Sequence, residues 1–431
     1  MTNQQILSLL HQEVIPAIGC TEPIAVALCV ARATEYLGTE PTHITVSLSK
    51  NIYKNALAVG IPNTGMTGLP IAIALGATIG KSEYQLEVLQ DTTPQAVEYA
   101  KSYISRTPID ITIDYNAPDI LYIHTEVSAD GHTANATIQG DHTHFIDTNQ
   151  HEVTNTKQSN PPLPDGGQGE VPLTLHTVYT YATTVPLDDV RFLLDGAQMN
   201  LKAAEASFHG NYGHGLGRLL HISPDTPNTA VEALFGNTLY TKIISYTCGA
   251  CDARMAGAMV PVMSNSGSGN QGISCSVPVY LYARENHCTE EQTLRALTLS
   301  NLTVIYIKQS LGRLSALCGC VVAATGSAVG LTYLMGGNYN EITYAIKNMI
   351  ANISGMICDG AKPGCALKVT SGVSTAIMSA FLAMQHSYAD STEGIVEEDI
   401  DRTIHNLTRI GHDGMTQTDD LILNIMTHKQ Q

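Results

Sequence analysis

Ser159-Asn160-Pro161-Pro162-Leu163-Pro164-Asp165-Gly166-Gly167-Gln168-Gly169 is the strongest interruption in this 431-residue chain. Proline and glycine punctuate local structure, and no hydrophobic period survives across the stretch. Helical and strand patterns alternate before it, whereas beyond Leu173 the pattern is helical almost throughout. The break therefore predicts an α+β protein of two domains: residues 1–165 form an α/β domain with a mixed or antiparallel sheet, and residues 166–431 a mostly α-helical one.

On the N-terminal side, Gln4 to Ala33 reads as helix interrupted at Gly19-Cys20-Thr21-Glu22-Pro23. Proline suits the first turn of a helix, so Cys20 is expected at a helix N-terminus. Residues His43 to Leu48 alternate as a strand, and Gly68 to Gly80 reads as an apolar helix after the turn Pro62-Asn63-Thr64-Gly65. Further strands are expected at Ile109–Tyr115, Ile120–Val127 and Thr133–Ile138, the last two joined by an Asp130-Gly131 turn. On the C-terminal side the longest helical segments are Val190–His209, Pro227–Phe235, Glu290–Ser310, Glu341–Ile353 and Gly372–Met384.

Composition narrows the function classes. With 22 Lys and Arg against 39 Asp and Glu, the formal charge is −17, and no basic cluster appears. Nucleic-acid binding needs such a cluster, so a small-molecule ligand is expected instead. The first residues, Met1-Thr2-Asn3-Gln4-Gln5, do not read as a secretory signal, which points to a cytoplasmic setting. There the ten cysteines are expected to be reduced, and to serve as metal ligands, catalysts or core residues. Cys29, Cys275 and Cys288 read as core packing. The uncharged run Leu314 to Asn340 is long enough to span a bilayer, but its Gly, Ala, Ser, Thr and Cys content predicts buried helix and no membrane contact.

Two thiol-bearing segments stand out. Cys358-Asp359-Gly360-Ala361-Lys362-Pro363-Gly364-Cys365 places two thiols on a segment that proline and glycine keep from being plain helix, and Cys318-Gly319-Cys320 lies upstream. Three thiolates in an apolar setting are what an iron–sulfur cluster with one open iron requires. The loop Ser264-Asn265-Ser266-Gly267-Ser268-Gly269-Asn270-Gln271-Gly272, ahead of a helix, is suited to holding a carboxylate, with a flexible surface loop as the alternative. A second loop, Ser49 to Asn55, offers Asn51, Lys54 and Asn55, against the reading of a solvated strand end. Cys248-Gly249-Ala250-Cys251 lacks the context of a redox or zinc motif and reads as structural, and His142-Thr143-His144 alone gives a metal too few ligands. No nucleophile elbow, P-loop or dinucleotide fingerprint occurs.

Taken in order, Gly19–Pro23, Lys54-Asn55 with Gly60-Ile61-Pro62, Asp252-Ala253-Arg254-Met255, Ser264–Gly272 and Cys358–Cys365 resemble the L-cysteine desulfidase family, itself similar to the iron–sulfur L-serine dehydratases. The resemblance covers most of the chain. It implies a C-terminal domain like the dehydratase α domain and a [4Fe-4S] cluster on Cys320, Cys358 and Cys365, with Cys318 as the alternative to Cys320. It further implies Cys20, Lys54 and Lys362 as candidate bases, Cys20 also as a sulfur carrier, and Asn51, Asn55, Ser266, Ser268, Asn270 and Gln271 as the residues holding an amino-acid substrate. The expected reaction is elimination of sulfide from L-cysteine to give pyruvate and ammonia. Serine dehydration, a pyridoxal-phosphate lyase and a non-catalytic metal- or thiol-binding protein stand as alternatives, and a homo-oligomer stays open.

Overall fold

A computed structural model describes residues 1–146, 173–223 and 229–429. The break at Ser159–Gly169, the expected boundary at residue 165 and the start of the Pro227–Phe235 segment lie outside the described residues. In chain order come α1 (Asn3–Glu13), β1 (Pro16–Ile18), α2 (Thr21–Leu37), β2 (His43–Leu48), α3 (Lys50–Ala56), α4 (Leu69–Thr78), α5 (Pro94–Arg106), β3 (Ile109–Ile113), β4 (Tyr122–Ala129), β5 (His132–Gln139) and β6 (Phe145–Ile146). Then follow α6 (Leu175–Thr184), α7 (Phe192–His209), α8 (Leu216–Leu220), α9 (Thr229–Phe235), α10 (Leu239–Met255), β7 (Pro261–Met263), α11 (Gly269–Glu285), α12 (Glu290–Leu311), α13 (Gly319–Leu334), α14 (Tyr339–Ile353), α15 (Cys365–Met384), α16 (Ile400–Arg409) and α17 (Thr416–Thr427). The fold is α+β.

Two compact units divide this chain discontinuously: one holds Ile18–Val171 with Gly257–Met259, the other Met1–Ala17, Pro172–Ala256 and Val260–Gln431. In the first, the sheet runs β3-β2-β4-β5-β6, with β2 and β3 parallel and the remaining neighbours antiparallel. The sheet is mixed because β3 reaches β2 through α3, α4 and α5, while β4 and β5 form a tight hairpin. Asp130 and Gly131 at its tip have φ of 51° and 80°, the paired positive values a two-residue hairpin turn requires. Helix α2 lies against β4 and β5, and Ile24 to Ala31 are all fully buried or nearly so. Ser49 to Asn55, expected as a loop, instead carries a short helix, α3. Its polar side chains hid an apolar stripe too short to show a period.

The second unit is helical. Helix α13 forms its centre, with α11, α12, α14 and α15 packed around it. Its run of Ala, Gly and Ser lets backbones approach closely: a Cβ at Gly326 would lie 2.6 Å from the Ser300 carbonyl oxygen. Threonine hydroxyls in this core bond back to the preceding turn, Thr325 to Val321 and Thr332 to Ala328, so the uncharged run buries no idle hydroxyl there. Among the described residues one helix, α15, is long and apolar enough to cross a membrane, and half of that stretch is buried against the unit's own core. Helix α1, fixed by a capping box between Thr2 and Gln5, belongs here too. The Ile15 carbonyl accepts from the Ser264 N–H at 2.8 Å, and the Glu13 carbonyl from the Ser266 N–H at 3.0 Å.

Candidate functional site: a thiol set on two helix starts

In the helical unit, an antiparallel bridge between Leu317 and Ile357 aligns the two thiol-bearing segments. The Cys318 N–H donates to the Met356 carbonyl at 2.9 Å and the Cys358 N–H to the Ala316 carbonyl at 2.7 Å. Cys318 therefore stands at the N-cap of α13, with Cys320 in its first turn and Cys358 alongside. After Cys358 the chain stays out of helix, turning through Gly360 at φ 87°, and re-enters at Cys365, the first residue of α15. The bend expected between the two thiols is this non-helical segment.

Charge holds that bend. Asp359 makes ion pairs with both Lys362 and Lys368, and the Lys368 ammonium also donates to the Ile357 carbonyl at 2.8 Å. Burial would raise the Asp359 carboxyl, but the two ammonium groups outweigh it and hold it near 2. Lys362, expected as a base, also donates to the Asp359 and Gly360 carbonyls at 3.1 and 3.3 Å. Its Nζ is thus directed at the loop's own main chain.

Electrostatics then separates the thiols. The hydrogen bond from Cys320 lowers the Cys318 thiol to about 7, aided by the Cys320 N–H and the ammonium groups of Lys368 and Lys362 against burial. Cys320 moves in the opposite direction, through that same bond, then burial, then the charge on Cys318. The two thiols titrate as a pair, with Cys318 pushed down and Cys320 up. Burial, with the charges of Cys358 and Cys318, pushes Cys365 up to about 11. Cys251 on α10, read from sequence as structural, lies within electrostatic reach of both Cys365 and Cys320. The fifth thiol was missed because only its CxxC spacing was weighed.

Among the described residues no three His, Cys, Asp or Glu side chains converge tightly enough for a single metal ion. Each cysteine of an iron–sulfur cluster binds a different iron, so a cluster needs no such convergence on one point. The donors here are soft thiols on turns and helix starts, one already inclined to ionise and two lysines beside them, which suits a thiolate-bound cluster.

The polar loop reaches this set. Asn265 donates to the Asn301 side-chain and main-chain oxygens at 2.9 and 3.2 Å, and the Ser266 hydroxyl to Asn265 at 2.8 Å, so the loop is built in. Ser268 caps α11 and Asn270 sits in its first turn. The buried Gln271 side chain packs on Gly319, where a Cβ would fall 3.2 Å from its Cδ. Gln271 thus touches the residue between Cys318 and Cys320.

The remaining expected residues lie in the sheet-bearing unit. Cys20 is the N-cap of α2, buried, and its thiol donates to Oε2 of Glu22 at 3.0 Å. Thr21 donates to the same oxygen at 3.1 Å, and Asn55 donates from α3 to Oε1 at 3.1 Å. Lys54 is 2% exposed, while Asn51 is half-buried. Glu22 and Arg254, both buried and charged, were not assigned roles from sequence. A signal existed for each: Glu22 stands directly before the uncharged run Pro23–Ala31, and Asp252 and Arg254 are the sole charges between Ile243 and Met263.

The serine dehydratase alpha chain family matches residues 83–424. The chain belongs to the serine dehydratase alpha chain family. A UPF0597 protein of Phocaeicola vulgatus is 60% identical over 99% of this chain and 98% of its own. One from Bacteroides fragilis is 57% identical over the same shares, and one from Aeromonas hydrophila 40% identical over 99% and 96%. Membership makes a lyase-type enzyme the activity class, and all five clustered thiols lie inside the matched span.

Proposed function

We propose that this protein is a cluster-dependent lyase that eliminates sulfide from L-cysteine in a cytoplasmic setting. The observation that carries the reading is the thiol set: Cys318, Cys320, Cys358 and Cys365 gathered by one β-bridge and two helix starts. A [4Fe-4S] cluster held by Cys358, Cys365 and Cys320, or Cys318 in its place, would supply an open iron that polarises the departing sulfur.

The chain's own residues do the rest. Asp359, Lys362 and Lys368 fix the bend so that both flanking thiols keep their positions. Ser266, Ser268, Asn270 and Gln271 orient the amino acid. Cys20, once its own proton has passed to Glu22, is the candidate acceptor of the α-proton, with Lys54 and Asn55 on the neighbouring helix. Loss of that proton and of the β-sulfur with its bonding pair leaves aminoacrylate, which tautomerises and takes up one water to give pyruvate and ammonia. The serine dehydratase family match favours a second reading, in which the β-hydroxyl of L-serine leaves instead.

Anaerobically purified protein is expected to be brown and to form pyruvate faster from L-cysteine than from L-serine. Cys358→Ser should lose both colour and turnover, whereas Cys20→Ser should lose turnover and keep the colour. A colourless wild type that stays active after chelation would sink the proposal, and a preference for L-serine would select the second reading.

A further inference from the structure

Arg254, near the end of α10, is 2% exposed. Its Nη1 donates to Oδ1 of Asn270 at 3.1 Å, but among the described residues no acceptor reaches Nε or Nη2. The acid closest in sequence, Asp252, is turned to the main chain, accepting from the Gly217 N–H at 3.0 Å and the His214 N–H at 3.3 Å. Nε–H and one N–H of Nη2 lie on the same edge of a planar guanidinium and make the fork that takes both oxygens of a carboxylate. A buried arginine serving only the fold would spend that edge on carbonyl oxygens, because an uncompensated buried charge is costly.

The neighbours of the fork lead to the thiol set from two sides. Gly269, the first residue of α11, presses its backbone on the guanidinium: a Cβ there would lie 2.3 Å from Nε and 2.8 Å from Cζ. Two residues on, Gln271 also has a side-chain oxygen, Oε1, with no partner, and it abuts Gly319 between Cys318 and Cys320. One turn back along α10 is Cys251, which interacts with Cys320 and Cys365.

We propose that the Nε/Nη2 edge of Arg254 is the seat for the α-carboxylate of the amino-acid substrate, with Asn270 fixing the guanidinium and Gln271 linking the seat to the thiol set. The inference rests on the lyase reading and adds the residue that recognises the substrate's charge. With the carboxylate held there, the β-substituent is the part of the amino acid left free for the thiols.

The test is equilibrium dialysis of labelled L-alanine, an amino acid with no leaving group, against anaerobically purified protein. Wild type should bind it, unlabelled L-alanine should displace it, and L-alaninamide, which lacks the carboxylate, should not displace it at tenfold excess. Arg254→Lys and Arg254→Gln should each weaken binding at least tenfold with unchanged melting temperature. If neither variant folds, the alaninamide competition on wild type decides alone. The proposal is overturned if wild type does not bind L-alanine, if L-alaninamide displaces it as well as L-alanine does, or if a folded variant binds within twofold of wild type. Failure of the lyase reading looks different: no pyruvate from wild type, while Arg254-dependent L-alanine binding persists.

Discussion

Replacing Asp359 by Asn removes the single carboxylate that ties Lys362 and Lys368 to the bend between Cys358 and Cys365. In the folded protein that carboxyl is held near 2 against an ordinary 3.8. At about 1.36 kcal/mol per pH unit the difference is worth about 2.4 kcal/mol. The side chain is 40% exposed, so solvent screening leaves about 1 kcal/mol of it. Because the folded value is depressed, the stabilisation is complete above the unfolded value of 3.8 and fades as the pH falls toward 2. Urea unfolding of the iron-free protein, followed by circular dichroism, should therefore show Asp359→Asn less stable by about 1 kcal/mol at pH 7, with the gap reduced by about half at pH 3. Equal stability at pH 7, or a gap that widens on acidification, would refute the reasoning.

Other perturbations have outcomes fixed by packing. Gly326→Ala forces a Cβ to 2.6 Å from the Ser300 oxygen, and a loss of about 1–3 kcal/mol is expected by denaturant unfolding. Glu13→Ala removes a buried carboxylate 3.0 Å from the half-buried Arg313 and should cost about 2 kcal/mol by the same measurement. Thr289→Ala breaks the capping box of α12, for about 1 kcal/mol. Burial raises the thiols of Cys29, Cys248 and Cys275 to about 12. Mass spectrometry after iodoacetamide at pH 7.5 should find these three unmodified in the folded iron-free protein and alkylated once it is unfolded, since the thiolate is the reactive form.

How much was legible depended on how locally each feature is determined. Strand β2 runs over His43–Leu48 as expected because alternation along one half-buried strand is a period-two signal contained within it. The Asp130-Gly131 turn was equally plain, since both residues tolerate positive φ. Cys20 at the start of α2 followed from Pro23 in the first turn. Features made by distant residues were not legible. Nothing in Asn3–Glu13 says that its helix packs with segments beyond residue 260, and nothing around Cys251 says that its thiol lies within electrostatic reach of Cys320 and Cys365. Arg254 stood in the sequence only as part of the motif Asp252–Met255, with no sign that Nε and Nη2 lack acceptors among the described residues. Unlike a hydrophobic period, an unfilled hydrogen bond leaves no trace in sequence.

The place of α1 in the helical unit also orders the life of the chain. Ser264 meets Ile15 across 249 residues, and Arg313 meets Glu13 across 300. During synthesis the first helix leaves the ribosome long before its seat exists, and all of the sheet-bearing unit is made in the interval. Closing so long a loop adds little to the equilibrium cost, which grows only logarithmically, but contacts this distant form slowly. Helix α1 is thus made long before its partners and is among the last elements to dock. Deleting it should disturb the unit that carries the thiols, and spare the sheet that follows it in the chain.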